Sequence, residues 1–225
     1  MREEILGKIR AALAGQGEHQ KTGHGLRPVP DQPSNNGAAL IGLADLIQRF
    51  ETELKKVGGN FYAAANAQAA CDYVLELARS QGARLAAGWD CSVIRDIGLI
   101  KALEDSGVEF IADSGADGFI KRALDAGIGI SGVDYALADT GTLVVLSGPG
   151  HARSVSLVTP VHVALVKTEQ LLADLNDLFP LLKEKGSLGS AIALISGPSR
   201  TADIEMTLVV GVHGPQHLHV VLLSY

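Results

Sequence analysis

Between residues 127 and 223 the chain carries a succession of short, β-prone apolar runs, of which residues 142–147 and 161–166 are the purest. A strand with one wet face alternates apolar and polar residues. Runs with so few polar interruptions must be covered on both faces, as in a sheet sandwiched between helices. The pattern predicts strands over residues 127–131, 135–138, 142–147, 161–166, 191–196, 206–212 and 218–223, with one helix, 168–178, among them.

The region before this has a different rhythm. Leu43, Leu46, Ile47, Phe50 and Leu54 share one face of a helix expected over residues 39–57, which Gly58-Gly59 ends. A strand over 60–65, a helix over 66–80, a strand over 83–87, a helix over 97–106 closed by Gly107, a strand over 108–112 and a helix over 117–126 follow. Strand–helix alternation of this kind implies parallel pairing. The fold class expected is therefore α/β, with a mixed, mostly parallel sheet flanked by helices.

Residues 1–14 place Ile5, Leu6, Ile9 and Leu13 on one helical stripe, and residues 15–37 are rich in Gly, Pro, His, Gln and Asn. The first 37 residues read as a helix plus flexible linker, and 38–225 as one α/β domain.

Composition narrows the function classes. The chain is 47% hydrophobic but 4% aromatic, and carries a net charge of −6. An acidic chain whose basic clusters are no longer than Lys55-Lys56 and Lys121-Arg122 is a poor partner for nucleic acid. No apolar run reaches the ~18 residues of a membrane span, and the charged start Met1-Arg2-Glu3-Glu4 lacks a signal core. A cytoplasmic location is expected. Cys71 and Cys91 are the only cysteines and have no C-x-x-C spacing, so neither a disulfide framework nor a cluster site is expected.

Gly127-Ile-Gly129-Ile-Ser-Gly132 matches the letters of a dinucleotide-binding loop. That loop must lead into a helix, whereas here the next residues are β-prone. Its glycines are expected to serve close strand packing instead. Asp139-Thr140-Gly141-Thr142 stands at a strand junction and is open to two readings, a ligand loop or a tight turn. The run from Ser196 through Gly197, Ser199, Arg200, Thr201 and Asp203 to Glu205 is the most polar ten residues of the chain. It follows a strand end, where α/β sheets bind ligands. By strand parity Glu205 and His213 share a face but stand about 26 Å apart, so at most one serves any small site. His217 and His219 also share a face, but no carboxylate or cysteine lies close in sequence to complete a metal site, and none is expected.

Taken together these residues resemble the lactate-utilisation protein C family, whose members carry the LUD domain. The resemblance rests on the run from Gly132 through Asp139-Thr140-Gly141-Thr142, on Arg153-Ser154 with Pro160-Val-His162, on Ser196 to Glu205, and on Gly211-Val-His213. It is dense over 127–225 and looser before. The family commonly has glutamate where Asp139 stands. The resemblance implies a fold like that of CoA transferases and ribose-phosphate isomerase. It also implies a part in oxidising L-lactate to pyruvate beside partner subunits that carry iron–sulfur clusters. The two unclustered cysteines and the strand after Gly132 lead to the expectation of no redox cofactor in this chain.

Two functions stay open. One is a non-redox accessory subunit of such a system. The other is a stand-alone enzyme or binding protein for a small anionic acyl, CoA-type or sugar-phosphate ligand. The expected ligand-binding set is Thr140, Gly141, Thr142, Arg153, Ser154, Ser196, Gly197, Ser199, Arg200 and Thr201, all donors suited to an anion. Asp139 and Asp203 are the candidates for orienting them or moving a proton.

Overall fold

The computed structural model describes residues 42–113, 118–186, 188–202, 208–211 and 213–225. The helix and linker expected over 1–37, together with Asp203 and Glu205, lie outside these residues.

Six parallel strands form the main sheet: β1 (Asn60–Ala64), β2 (Leu85–Gly88), β3 (Glu109–Ala112), β4 (Ile128–Gly132), β7 (Val161–Lys167) and β12 (His217–Leu223), in the order β1-β12-β7-β4-β2-β3. The sheet is covered on both faces, as the apolar runs require. Strand parity sorts the two sides. Ala86 joins a core with Phe50, Leu54, Val74, Ile94, Leu99 and Leu103, from helices α1 (Leu43–Lys56), α2 (Ala67–Ser80), α3 (Ser92–Asp96) and α4 (Leu99–Asp105). Its neighbour Ala87 joins Ile111, Ala123 and Ala126 on the side of α5 (Phe119–Ala123).

The antiparallel part of the chain gathers into a second sheet in the order β8-β5-β6-β9, where β5 is Tyr135–Leu137, β6 Thr142–Ser147, β8 Leu171–Leu172 and β9 Ala191–Ile195. Leu137, Val144 and Leu146 pack there on Leu178 and Leu182 of a helix over Leu175–Glu184. A hairpin, β10 (Arg200–Ala202) with β11 (Leu208–Val210), completes the strands.

The helix expected over 168–178 is displaced. Residues 168–170 make a single 3-10 turn, Leu171–Leu172 pair with β5, and the helix begins after Asp174, whose carboxylate accepts from the backbone N–H of Asn176 and Asp177. The cap and the strand pairing outweigh a helical spacing that ran through them. In the first half the caps fall where the sequence points. Asn66 Oδ1 accepts from Ala69 N–H to open α2, and Gly58 and Gly59 donate to Lys55 O and Leu54 O to close α1.

The Gly127–Gly132 run leads into β5, a strand rather than a helix. A Cβ at Gly129 would lie 2.2 Å from Val155 O and 2.5 Å from Thr159 Oγ1. The glycine is what lets the short helix α6 (Ser154–Leu157) lie against β4. Among the described residues no helix is long and apolar enough to cross a membrane.

The strand order fixes where the sheet opens. From β2 the chain crosses outward to β3 by way of α3 and α4, then returns past β2 to β4 by way of α5. From β4 it proceeds the other way, to β7 and β12. Connections leave β2 and β4 in opposite directions, so their carboxyl ends cannot both be roofed by one crossover. A crevice at such a switch point is where open α/β sheets bind ligands.

Candidate functional site

The crevice between β2 and β4 is occupied by a cavity of about 320 Å³. Its walls come from the residues that follow three strand ends. Trp89, Cys91, Ser92 and Val93 follow β2, Gly132, Val133 and Asp134 stand at the end of β4, and Lys167, Glu169 and Gln170 at the end of β7, with His151 beside them. A second cavity of about 150 Å³ shares Val93, Lys167 and Glu169 with it and extends to Leu223 and Tyr225 at the end of β12.

Each wall is held in place. The Trp89 ring is stacked on His151, centroids 4.2 Å apart, and its indole N–H donates to Ala152 O at 3.2 Å. Ala152 N–H in turn donates to the buried Asp113 carboxylate at 2.8 Å. The loop carrying His151 is thereby pinned to the ends of β2 and β3. Across the cavity, Gln170 clamps β4 to β7: its amide donates to Val133 O at 2.5 Å and its carbonyl accepts from Lys167 N–H at 2.7 Å.

The charges divide unevenly. Asp134 accepts from Leu146 N–H at 2.8 Å and from the Lys185 ammonium at 2.6 Å, and Lys185 also lies over the Tyr135 ring. Its negative charge is spoken for. Lys167 carries no ion pair among the described residues, and Glu169, exposed at the rim, carries none either. Cys91 lines the same cavity. Burial pushes its thiol up, and backbone N–H groups of Ile94 and Gly132 oppose this only in part. The group is therefore a neutral thiol near pH 7.

The residues singled out from sequence lie elsewhere. Two of the three expected loops do meet. Thr142 Oγ1 and Ser196 Oγ are 2.8 Å apart, sharing one hydrogen bond. Both loops rest on the last turn of α1: a Cβ at Gly141 would lie 2.2 Å from Leu54 N, and one at Gly197 3.0 Å from Val57 O. Arg200 donates to Val57 O at 2.6 Å. A helix carboxyl end presents carbonyl oxygens and the negative pole of its dipole, the wrong polarity for an anion. Asp139 accepts from the Thr140 hydroxyl at 3.1 Å, and its N–H donates to Ala173 O. Ser199 is tied by backbone bonds to Pro215 and Gly211, and Thr201 pairs with Val209. Arg153 and Ser154 open α6, with Ser154 buried and Arg153 exposed. Among the described residues no group of three His, Cys, Asp or Glu could hold a metal ion. His219 instead meets the Tyr73 hydroxyl through Nδ1 at 2.8 Å.

What sequence reasoning passed over is Trp89, Cys91, His151, Lys167 and Gln170. Each stands at or just past a strand end or in a tight turn. The one available signal was the polar residues that break off each apolar run, such as Lys167-Thr-Glu-Gln170 after residues 161–166.

Comparison with known proteins gives the wider setting. The family model described as the LUD domain matches residues 47–223. The lactate utilization protein C of Halalkalibacterium halodurans is 39% identical over 150 residues, 65% of this chain and 64% of that protein. Its namesake in Bacillus subtilis is 38% identical over 120 residues, 52% of this chain and 50% of that one. The chain thus spans less than two thirds of the length of these relatives. The crystal structure of a DUF162 family protein from Deinococcus radiodurans is alike in fold, with a TM-score of 0.60 over 81% of this chain and 98% of the other, at 16% identity.

Proposed function

The chain belongs to the LUD domain family, and from that premise we propose that it serves lactate utilisation as a non-redox subunit beside partners that carry iron–sulfur clusters. The process comes from the names of relatives 36–40% identical to it. The division of labour is supported by its thiols. A cluster takes four ligands, whereas the chain has two cysteines, Cys71 sealed in the core and Cys91 beside the cavity. The observation that carries a binding role is the cavity at the β2/β4 switch point, framed by residues from three strand ends and fixed by the Trp89–His151 stack and the Gln170 clamp.

The test is genetic and biochemical together. Deleting the gene should abolish growth of its host on L-lactate, and the tagged chain should co-purify with iron–sulfur proteins. The isolated chain should not reduce an artificial electron acceptor with L-lactate. Growth unaffected by the deletion would end the lactate reading. Turnover by the isolated chain would end the accessory reading and favour an enzyme in its own right.

A further inference from the structure

We propose that the free edge of β9 pairs antiparallel with the same edge of a second copy of this chain, joining two four-stranded sheets into one across a two-fold axis at Ala193.

β9 pairs with β6 and with no other strand among the described residues. Natural sheets blunt an open edge with a charge, a proline or a bulge. Here no charged residue occurs from Gly186 to Ser199, and no proline lies within β9. Of the edge strands β1, β3, β8 and β9, β9 alone exposes large apolar side chains, Ile192 at 39% and Leu194 at 53%. The register explains the exposure. Ile192 and Leu194 stand opposite Leu146 and Val144, which the Leu175–Glu184 helix covers through Leu178 and Leu182. That cover stops short of β9. The same helix leaves Leu175 and Phe179 exposed.

A second copy suits this edge because the strand is complementary to itself. With the axis at Ala193, antiparallel pairing sets Ile192 opposite Leu194 of the other copy and Leu194 opposite its Ile192. Both pairs fall on one face, and the two-fold axis makes them equivalent. On the other face Ala191 meets Ile195. The chain carries a net charge of −6, so two copies repel at long range, and an edge free of charge is where they can approach. Ile192, Leu194, Leu175 and Phe179 together expose about 300 Å² of apolar surface per copy, the size of patch that marks an interaction site. A standard interface takes about 800 Å² from each side. The strand backbone and the polar residues around it supply the remainder.

Sedimentation velocity on the full chain should show a dimer at micromolar concentration. Ile192→Lys with Leu194→Lys places like charges opposite each other and should weaken the dimer on the order of tenfold or more. The urea midpoint of the dilute chain should not change, because both side chains are exposed in one copy alone. Ile192→Lys with Leu194→Glu sets an ammonium opposite a carboxylate at both pairs, and should dimerise more tightly than the double-lysine variant. Ala193→Cys should form an intersubunit disulfide on mild oxidation, whereas Ser190→Cys, about 20 Å from its own counterpart in this register, should not. The unaltered chain, with Cys71 buried and Cys91 in the cavity, sets the background. A full chain that stays monomeric up to roughly 100 μM, a dimer untouched by the two lysines, or equal crosslinking of Ser190→Cys and Ala193→Cys would overturn the assignment. So would a monomer that loses an iron–sulfur partner when the two lysines are introduced, since the edge would then belong to that partner.

Discussion

The guanidinium of Arg200 donates to the carbonyl oxygen of Val57 at 2.6 Å, although 143 positions separate the two residues in the chain. Gly58 makes the approach possible, since a Cβ there would lie 2.7 Å from Arg200 Nη2. A cation at the carboxyl end of α1 satisfies an orphan carbonyl and complements the helix dipole.

Arg200→Ala should therefore lower stability by about 1 kcal/mol, the scale of one exposed charge-assisted bond at a helix end. Urea denaturation checks it, and a variant of wild-type stability would show that the bond to Val57 O adds nothing to the fold.

Gly141→Ala should be far more damaging. The residue has φ +62°, and its Cβ would strike Leu54 N at 2.2 Å and Leu54 Cα at 2.6 Å. Both are helix backbone atoms that cannot step aside. A loss of about 2–4 kcal/mol is expected, from overpacking together with left-handed strain. A variant that melts within a degree or two of wild type would show that α1 can shift away from this turn.

Stability should also fall in mild acid. His162 is fully buried, with Nε2 2.9 Å from Ser131 Oγ, and desolvation lowers its pKa to about 4. Desolvation lowers His219 to about 4 as well, helped by His217, though that residue is less deeply covered. Unfolded histidine titrates near 6.5, so between pH 6.5 and 4 the unfolded chain binds protons that the folded chain refuses. The stabilisation is complete above that window and is lost as pH falls through it. His162 alone should cost about 2 kcal/mol at pH 5 relative to pH 7. Urea midpoints across this range check it, and a flat profile would place water against the His162 ring.

A chain beginning at residue 38 should keep its main thermal transition almost unchanged, because the composition of residues 15–37 offers little to bury. Calorimetry of the shortened and full chains settles the point. A transition that broadens or drops by many degrees would make residues 1–37 part of the folded body.

Local pattern made the elements legible where one side of a helix or both faces of a strand had to be apolar. Phe50 and Leu54 announced α1, and the Val-rich runs announced β6 and β7 with their bounds nearly intact. The five- and four-residue helices α3 and α6 left no such trace, because one turn has no period to read. The cavity was hidden for a different reason. Trp89, Gly132 and Lys167 become neighbours only through the order in which strands are laid down, and strand order is not written in any local window. The polar run at Ser196–Arg200 drew attention by its chemistry. Within it Arg200 donates to Val57 O at the end of α1, and Ser196 shares a hydrogen bond with Thr142.

β12 lies between β1 and β7, so the last strand among the described residues is an interior member of the sheet. Asn60 donates to Leu218 O, 158 positions onward, and β1 pairs with no other strand among the described residues. On a ribosome adding about 5–20 residues per second, β1 must wait roughly 10–30 s for its partner. A nascent chain still lacking residues 217–223 has its sheet split in two, with the edges of β1 and β7 both bare. Such a chain invites chaperone capture, and its protease resistance should arrive in one late step when β12 slots home.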